Sequence, residues 1–278
     1  MDGSEADQRR RRSAPGVPPA GPDPDFPYLG ERDRFRFPDP ERSREGLVGV
    51  GGNLSPGMLL SAYEQGIFPW FAEGDPILWH SPDPRFVIFP ADLHVSQSMR
   101  KVLKKGLFEI SFDRDFPSVI RGCAAKERPG QDGTWITGDM ADAYIALHEL
   151  GWAHSAEAWS DGRLVGGCYG LRLGAAFFGE SMFALEPNAS KAAFLTLARV
   201  LFGDGVRFID CQLPTQHLGS LGARTIPRSA FRAFLAEALR FGGTDRAEGA
   251  DRVPDAERDE ADRRGNWGAR YPAYGTKR

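Results

Sequence analysis

Asp210 and Gln212 stand two apart in the run Phe208-Ile-Asp-Cys-Gln-Leu213, whose composition is that of a strand. Side chains alternate across a strand, so the spacing predicts Phe208, Asp210 and Gln212 on one face and Ile209, Cys211 and Leu213 on the other. Two hydrogen-bonding groups then stand side by side. They form either a catalytic pair or a satisfied buried network holding the loop from Pro214 to Leu218, since unpaired buried polar groups cost about 1 to 3 kcal/mol each. Cys211 with His217 is a weaker nucleophile and base pair: six positions separate them, and nothing nearby lowers the thiol pKa.

Glu180, between Gly179 and Ser181 in FFGESMF, is a carboxylate bracketed by bulky apolar residues. It is either functional or paired internally, with Arg172 or Lys191 as partners. Trp70, Trp79 and Trp135 each lie in Pro- or Gly-flanked segments. They are core residues or rings on which a nucleobase could stack. Beside the basic run Arg100, Lys101, Lys104 and Lys105, such rings would make a surface for a single-stranded nucleic-acid end. The glycines of 46–52 and Gly166-Gly167 match no phosphate-binding pattern. His80, His94, His148 and His154 lack metal-ligand spacing, so no metal is expected.

The elements that must position these groups are legible in part. Ser55 and Pro56 open a helix carrying Met58, Leu59, Ala62 and Tyr63 and stopped by Gly66. A strand follows in FVIF, then a short basic helix ending at Gly106. Asp139 can cap a helix bearing Met140, Tyr144, Leu147 and Leu150. Three β-type runs then form a meander: HSAEAWS, RLVGGCYGL and AAFFGESMF. An amphipathic helix with Phe194, Leu197, Ala198 and Leu201 on one stripe, the strand VRFIDCQL and the helix SAFRAFLAEALRF complete the order. This is an α/β (α+β) pattern, a mixed sheet with packed helices similar in order to acetyltransferase-like folds.

The chain has 278 residues, 41% of them hydrophobic, enough for a proper core without staples. Three widely spaced cysteines suggest no disulfide framework, and no apolar run reaches the ~20 residues needed to span a bilayer. A cytoplasmic location without membrane association is therefore expected. Residues 1–27, with Arg9 to Arg12, and residues 243–278 are charged and poor in large apolar groups, and are expected to be disordered tails.

Seven runs in one order then resemble leucyl/phenylalanyl-tRNA–protein transferases: Gly66-Ile-Phe-Pro-Trp-Phe71, Leu78-Trp-His-Ser-Pro-Asp-Pro-Arg85, Gly133-Thr-Trp-Ile-Thr137, Val165-Gly-Gly167, Gly179-Glu-Ser-Met-Phe183, Asn188-Ala-Ser-Lys191 and Ile209-Asp-Cys-Gln212. The resemblance implies a small N-terminal domain over 28–85, an acetyltransferase-like catalytic domain over 86–242, and neither metal nor organic cofactor. It implies transfer of Leu or Phe, also Met, from aminoacyl-tRNA to an N-terminal Arg or Lys of a protein, which marks that protein for degradation. By the same resemblance Gln212 accepts a hydrogen bond from the incoming amine, Asp210 polarises Gln212, and Glu180 faces the cationic acceptor. Trp70, Trp135 and Tyr63 would hold the terminal adenosine, and Arg100, Lys101, Lys104 and Lys105 the acceptor-stem phosphates. Cys168, Phe177 and Met182 would line the amino-acid pocket, with Cys168 in place of the Met of the family pattern. An acyl-CoA-dependent N-acyltransferase and a non-catalytic tRNA-binding module are the competing readings. The first would need a Gly/Arg-rich pyrophosphate loop, which the sequence lacks.

Overall fold

The computed structural model describes residues 18–43, 45–125 and 135–241. Strand β1 (Leu47–Val50) leads through a Gly-rich turn into helix α1 (Pro56–Glu64). Ser55 occupies the N-cap position, but its hydroxyl turns away from the helix, accepting from the Leu29 amide at 3.1 Å and donating to Asn53 at 2.7 Å. Helix α1 is buried almost all round rather than on one stripe. At its end Gly66 has φ +76°, a region open to glycine, and a Cβ there would lie 3.0 Å from the Phe231 ring. Strands β2 (Phe68–Pro69) and β3 (Leu78–His80) follow, and the three strands form a small antiparallel sheet in the order β1-β3-β2.

The main sheet begins with β4 (Arg85–Ile88). Helix α2 (Gln97–Lys105) is capped by the Ser96 hydroxyl and ends, as the sequence predicts, at Gly106, which is in the left-handed conformation. Next come β5 (Glu109–Phe112), helix α3 (Phe116–Ala124) and helix α4 (Gly138–Glu149). The α4 cap is the Thr137 hydroxyl on the Met140 amide, and Asp139, the expected cap, sits in the first turn instead. The meander is present as β6 (Ala153–Ser160), β7 (Arg163–Leu173) and β8 (Ala176–Ala184). Helix α5 (Ala189–Gly203), strand β9 (Phe208–Asp210), the single turn α6 (Gln216–Ser220), β10 (Arg224–Ile226) and helix α7 (Arg228–Phe241) complete the elements of the described residues.

The seven strands lie in the order β10-β4-β9-β8-β7-β6-β5, with β8 and β9 the one parallel pair. Their connection is α5, the crossover a parallel pair requires. Helices α1, α3, α4 and α7 cover one face of the sheet, and α2 and α5 the other. The mixed α/β architecture read from the sequence is thus observed. The core on the α1 face is continuous from Trp79 of the small sheet to Tyr169 and Phe178 of the large one.

Part of the segment expected to be an N-terminal tail is held in place. The Gly21 amide donates to Asp75 and the Asp23 amide to Gly52, while Phe26 packs edge-on against Phe35. The remaining tail expectations fall on residues 1–17 and 243–278, outside the described residues. Among the described residues no helix is long and apolar enough to cross a membrane.

Candidate active site

The parallel pairing of β8 with β9 stops after Phe178 and Asp210. Beyond that point β8 runs on to Ala184 beside β7, while Cys211 and Gln212 stay on β4 through the Cys211 amide to Phe86 (2.8 Å) and the Phe86 amide to Gln212 (3.2 Å). The strands therefore splay, and a cleft opens at the carboxyl ends of the parallel pair, where open α/β sheets place their ligands.

Glu180 enters this cleft from a β-bulge. Tyr169 of β7 faces Ser181, but the next residue, Gly170, faces Gly179, so Glu180 is the unpaired extra residue. A bulge re-aims its side chain, and here it sends Glu180 to the face covered by α1 and α4. Gly170 makes this possible: a Cβ at that position would stand 2.1 Å from the Phe178 carbonyl oxygen. Tyr63 of α1 donates to Glu180 Oε1 at 2.7 Å and Tyr144 of α4 to Oε2 at 3.2 Å, which brings the two tyrosine hydroxyls close to one another. The alternative reading of Glu180, an internal ion pair, is not seen among the described residues, and Arg172 pairs with Asp204 at 2.5 Å instead. Burial pushes the Glu180 carboxyl up to about 7, against the lowering effect of the Tyr63 bond. Burial likewise raises both tyrosines well above their ordinary range.

Gln212 faces Glu180 across the cleft, its Nε2 donating to Glu180 Oε1 at 3.2 Å. It is not on a strand face with Asp210. Strand β9 ends at Asp210, and Gln212 adopts φ +55°, a left-handed conformation costly for a residue with a long side chain. Nor does Asp210 reach the Gln212 amide side chain: its Oδ1 accepts from the Gln212 backbone N–H at 3.0 Å. Both Asp210 oxygens are taken by Arg85, Nε to Oδ1 at 2.9 Å and Nη2 to Oδ2 at 2.6 Å, in a pair with neither side chain exposed. The third Arg85 nitrogen donates to the Gly66 carbonyl at 3.1 Å, and the guanidinium lies 4.9 Å from the Phe68 ring centre and 4.4 Å from that of Phe231. Sequence reasoning missed Arg85. The available signal was a charged residue inside the apolar run Arg-Phe-Val-Ile, which demands a buried counter-charge.

Other expected residues are placed as follows. Tyr63, expected at a terminal adenosine, is fully buried against Phe178 at 5.0 Å, so no base can stack on it without opening the core. Trp79 is also core, its Nε1 bonded to the Gly51 carbonyl at 2.8 Å. Trp70 and Trp135 are half-buried at the edge of the same core, Trp70 edge-on to His80 at 5.8 Å. Arg100, Lys101, Lys104 and Lys105 are exposed on α2. Cys168, Phe177 and Met182 all belong to the core on the α5 face, Cys168 directly opposite Met182 across β7 and β8, away from the Glu180 carboxylate. A cavity of about 640 Å³ between α2 and α5, lined by Val102, Leu103, Phe108, Thr196 and Val200 among others, includes none of these three. The Cys211 thiol is turned to the Ile209 carbonyl and raised far above its ordinary pKa by burial, so it is no nucleophile.

The sequence model of the leucyl/phenylalanyl-tRNA protein transferase family matches residues 87–236, and that of the family's N-terminal domain matches residues 52–83. The leucyl/phenylalanyl-tRNA–protein transferase of Myxococcus xanthus is 57% identical over 205 residues, 73% of this chain and 88% of that protein. The protein of the same name from Anaeromyxobacter sp. strain K is 56% identical over 204 residues, also 73% and 88%, and that of Stutzerimonas stutzeri is 52% identical over 224 residues, 80% and 96%. Among solved structures, L-PGS from Bacillus licheniformis aligns with a TM-score of 0.35 and 12% identity over 49% of this chain and 48% of that one. Arg85, Glu180, Asp210 and Gln212 lie within or beside the matched segments, and the chain belongs to the leucyl/phenylalanyl-tRNA–protein transferase family.

Proposed function

We propose that the cleft between Glu180 and Gln212 is where the Leu, Phe or Met ester of an aminoacyl-tRNA is attacked by the α-amine of an N-terminal Arg or Lys. The acceptor protein gains one residue at its N-terminus and is marked for degradation by the N-end rule. The observation that carries this reading is the fixed Gln212 amide. Its NH₂ end donates to Glu180, so its carbonyl end is the acceptor left for an amine hydrogen.

Aminolysis of an ester is downhill, so the enzyme's task is alignment, proton removal and stabilisation of the tetrahedral oxyanion. In this account Gln212 Oε1 receives one hydrogen of the α-amine and directs the nitrogen lone pair at the ester carbon. The Arg85 and Asp210 pair holds Gln212 in its strained backbone conformation through the bond to its N–H. Trp70 and Trp135 hold the terminal adenosine, α2 holds acceptor-stem phosphates, and Cys168, Phe177 and Met182 shape the amino-acid pocket. Residues 28–85 then act as the small N-terminal unit and 86–242 as the catalytic one.

A transfer assay with labelled Phe-tRNA and Leu-tRNA against peptides beginning with Arg, Lys or Ala tests donor, reaction and acceptor together. Transfer to the Arg and Lys peptides alone is expected. Acylation from acetyl-CoA without tRNA would contradict the reading and favour the acyl-CoA-dependent alternative.

A further inference from the structure

The acceptor's α-amine, with an ordinary pKa of about 7.7 to 8.0, arrives largely as an ammonium ion at neutral pH. It must lose one proton before its lone pair can attack. The C–N bond then forms, the nitrogen sheds a second proton, the ester C–O bond breaks, and the ribose oxygen leaves as a hydroxyl with one proton. One proton is released overall, and some group must take the first.

Gln212 cannot keep it, because an amide oxygen is far too weakly basic. Asp210 is closed to it: both oxygens are bonded to Arg85, Oδ1 also to the Gln212 N–H, and the side chain has no exposure. Glu180 differs in each respect. It is half-buried at the cleft, one amide group away from the position of the amine, and its partners are neutral donors rather than a guanidinium.

Resting on the reading above, we propose that Glu180 is the base that takes the α-ammonium proton, with Tyr63 and Tyr144 fixing its carboxylate, while Asp210 stays a positioning anion. The groups that face it are Tyr63 from α1, Tyr144 from α4, and Gln212, with Asp210 and Arg85 behind. Its poise near 7 is close to that of the α-amine, so the transfer is nearly balanced and efficient. A carboxyl that is neutral part of the time is also a poor permanent anchor for a cationic side chain, the role the family resemblance implied for it.

Glu180→Gln and Glu180→Asp separate the two roles when Phe transfer to an Arg-initiated peptide is followed from about pH 6 to pH 9.5, spanning both groups. As a base, Glu180→Gln lowers kcat about 100-fold or more near pH 6.5. The defect shrinks as the pH passes the pKa of the α-amine, with little change in the peptide KM, and Glu180→Asp keeps the wild-type profile at a lower rate. A loss of equal size at every pH, or one confined to KM, overturns the proposal. Unaltered binding of charged tRNA by both variants confirms that they fold. Failure of the wild-type enzyme to transfer at any pH is a different result, and it sinks the underlying reading instead.

Discussion

Arg85 grips both carboxylate oxygens of Asp210 across 125 positions of sequence, and Asp210 in turn holds the N–H of Gln212. The reacting amide is thus fixed by an ion pair that never meets solvent. A buried pair of this kind contributes little net stability when intact but is costly to break by removing one partner, by about 3 to 5 kcal/mol. Arg85→Met is therefore expected to lose stability in that range by urea unfolding. Arg85→Lys, which keeps the charge but not the fork, should stay folded and lose transfer activity.

The poise of Glu180 has a consequence for stability. Its carboxyl is raised to about 7 in the folded protein from 4.5, so the folded state binds the proton more tightly than the unfolded chain. Stability from this group is fully present below about pH 4.5, falls as the pH rises to about 7, and is flat above that. The total is at most about 3 kcal/mol. Glu180→Gln should remove this slope and be more stable than wild type at pH 8, as urea midpoints at several pH values would show. A wild-type midpoint that does not move between pH 5 and 7 contradicts the assignment.

Trp70 and Trp79 lie nine residues apart and should respond differently. Trp79→Ala empties a core site and cuts the bond to Gly51, at a cost of about 3 to 5 kcal/mol. Trp70→Ala should leave the melting temperature nearly intact and raise KM for aminoacyl-tRNA alone, by about 1 to 3 kcal/mol of stacking. Equal destabilisation by both would place Trp70 in the core.

Lys101, Lys104 and Lys105 changed together to Ala should weaken binding of charged tRNA and lower the slope of log affinity against log salt by up to about three phosphate contacts. An unchanged slope removes α2 from the tRNA interface. Met99, which anchors α2 to the sheet, is untouched by this variant.

Legibility in the sequence followed the range of the interactions. The stop at Gly106, the stripe of α5 and the meander β6 to β8 rest on neighbours a few residues apart and are readable, whereas the N-caps are not: Ser55 turns its hydroxyl away from α1, and Thr137 rather than Asp139 caps α4. Strands β1 to β3 are not readable either, because they are short and rich in Gly and Pro and take their form from one another. The closeness of Asp210 to Gln212 is legible in their spacing, but their geometry is not: alternation holds only while a strand lasts, and β9 ends between them. The bulge at Glu180 depends on Gly170 of another strand, and the Asp210 counter-charge on Arg85 far upstream, so neither could be read from local spacing. The resemblance places Tyr63 at the terminal adenosine, yet its burial against Phe178 makes it a support of Glu180 rather than a stacking surface.

The central claim, that acyl transfer occurs between Glu180 and Gln212, is tested most directly by Gln212→Ala, measured in parallel for binding of Phe-tRNA and for Phe transfer to an Arg-initiated peptide. The predicted result is unchanged tRNA affinity with transfer reduced about 100-fold or more, the scale seen when a single group aligned on the reacting atoms is removed. Transfer that persists near the wild-type rate with tRNA still bound would contradict it.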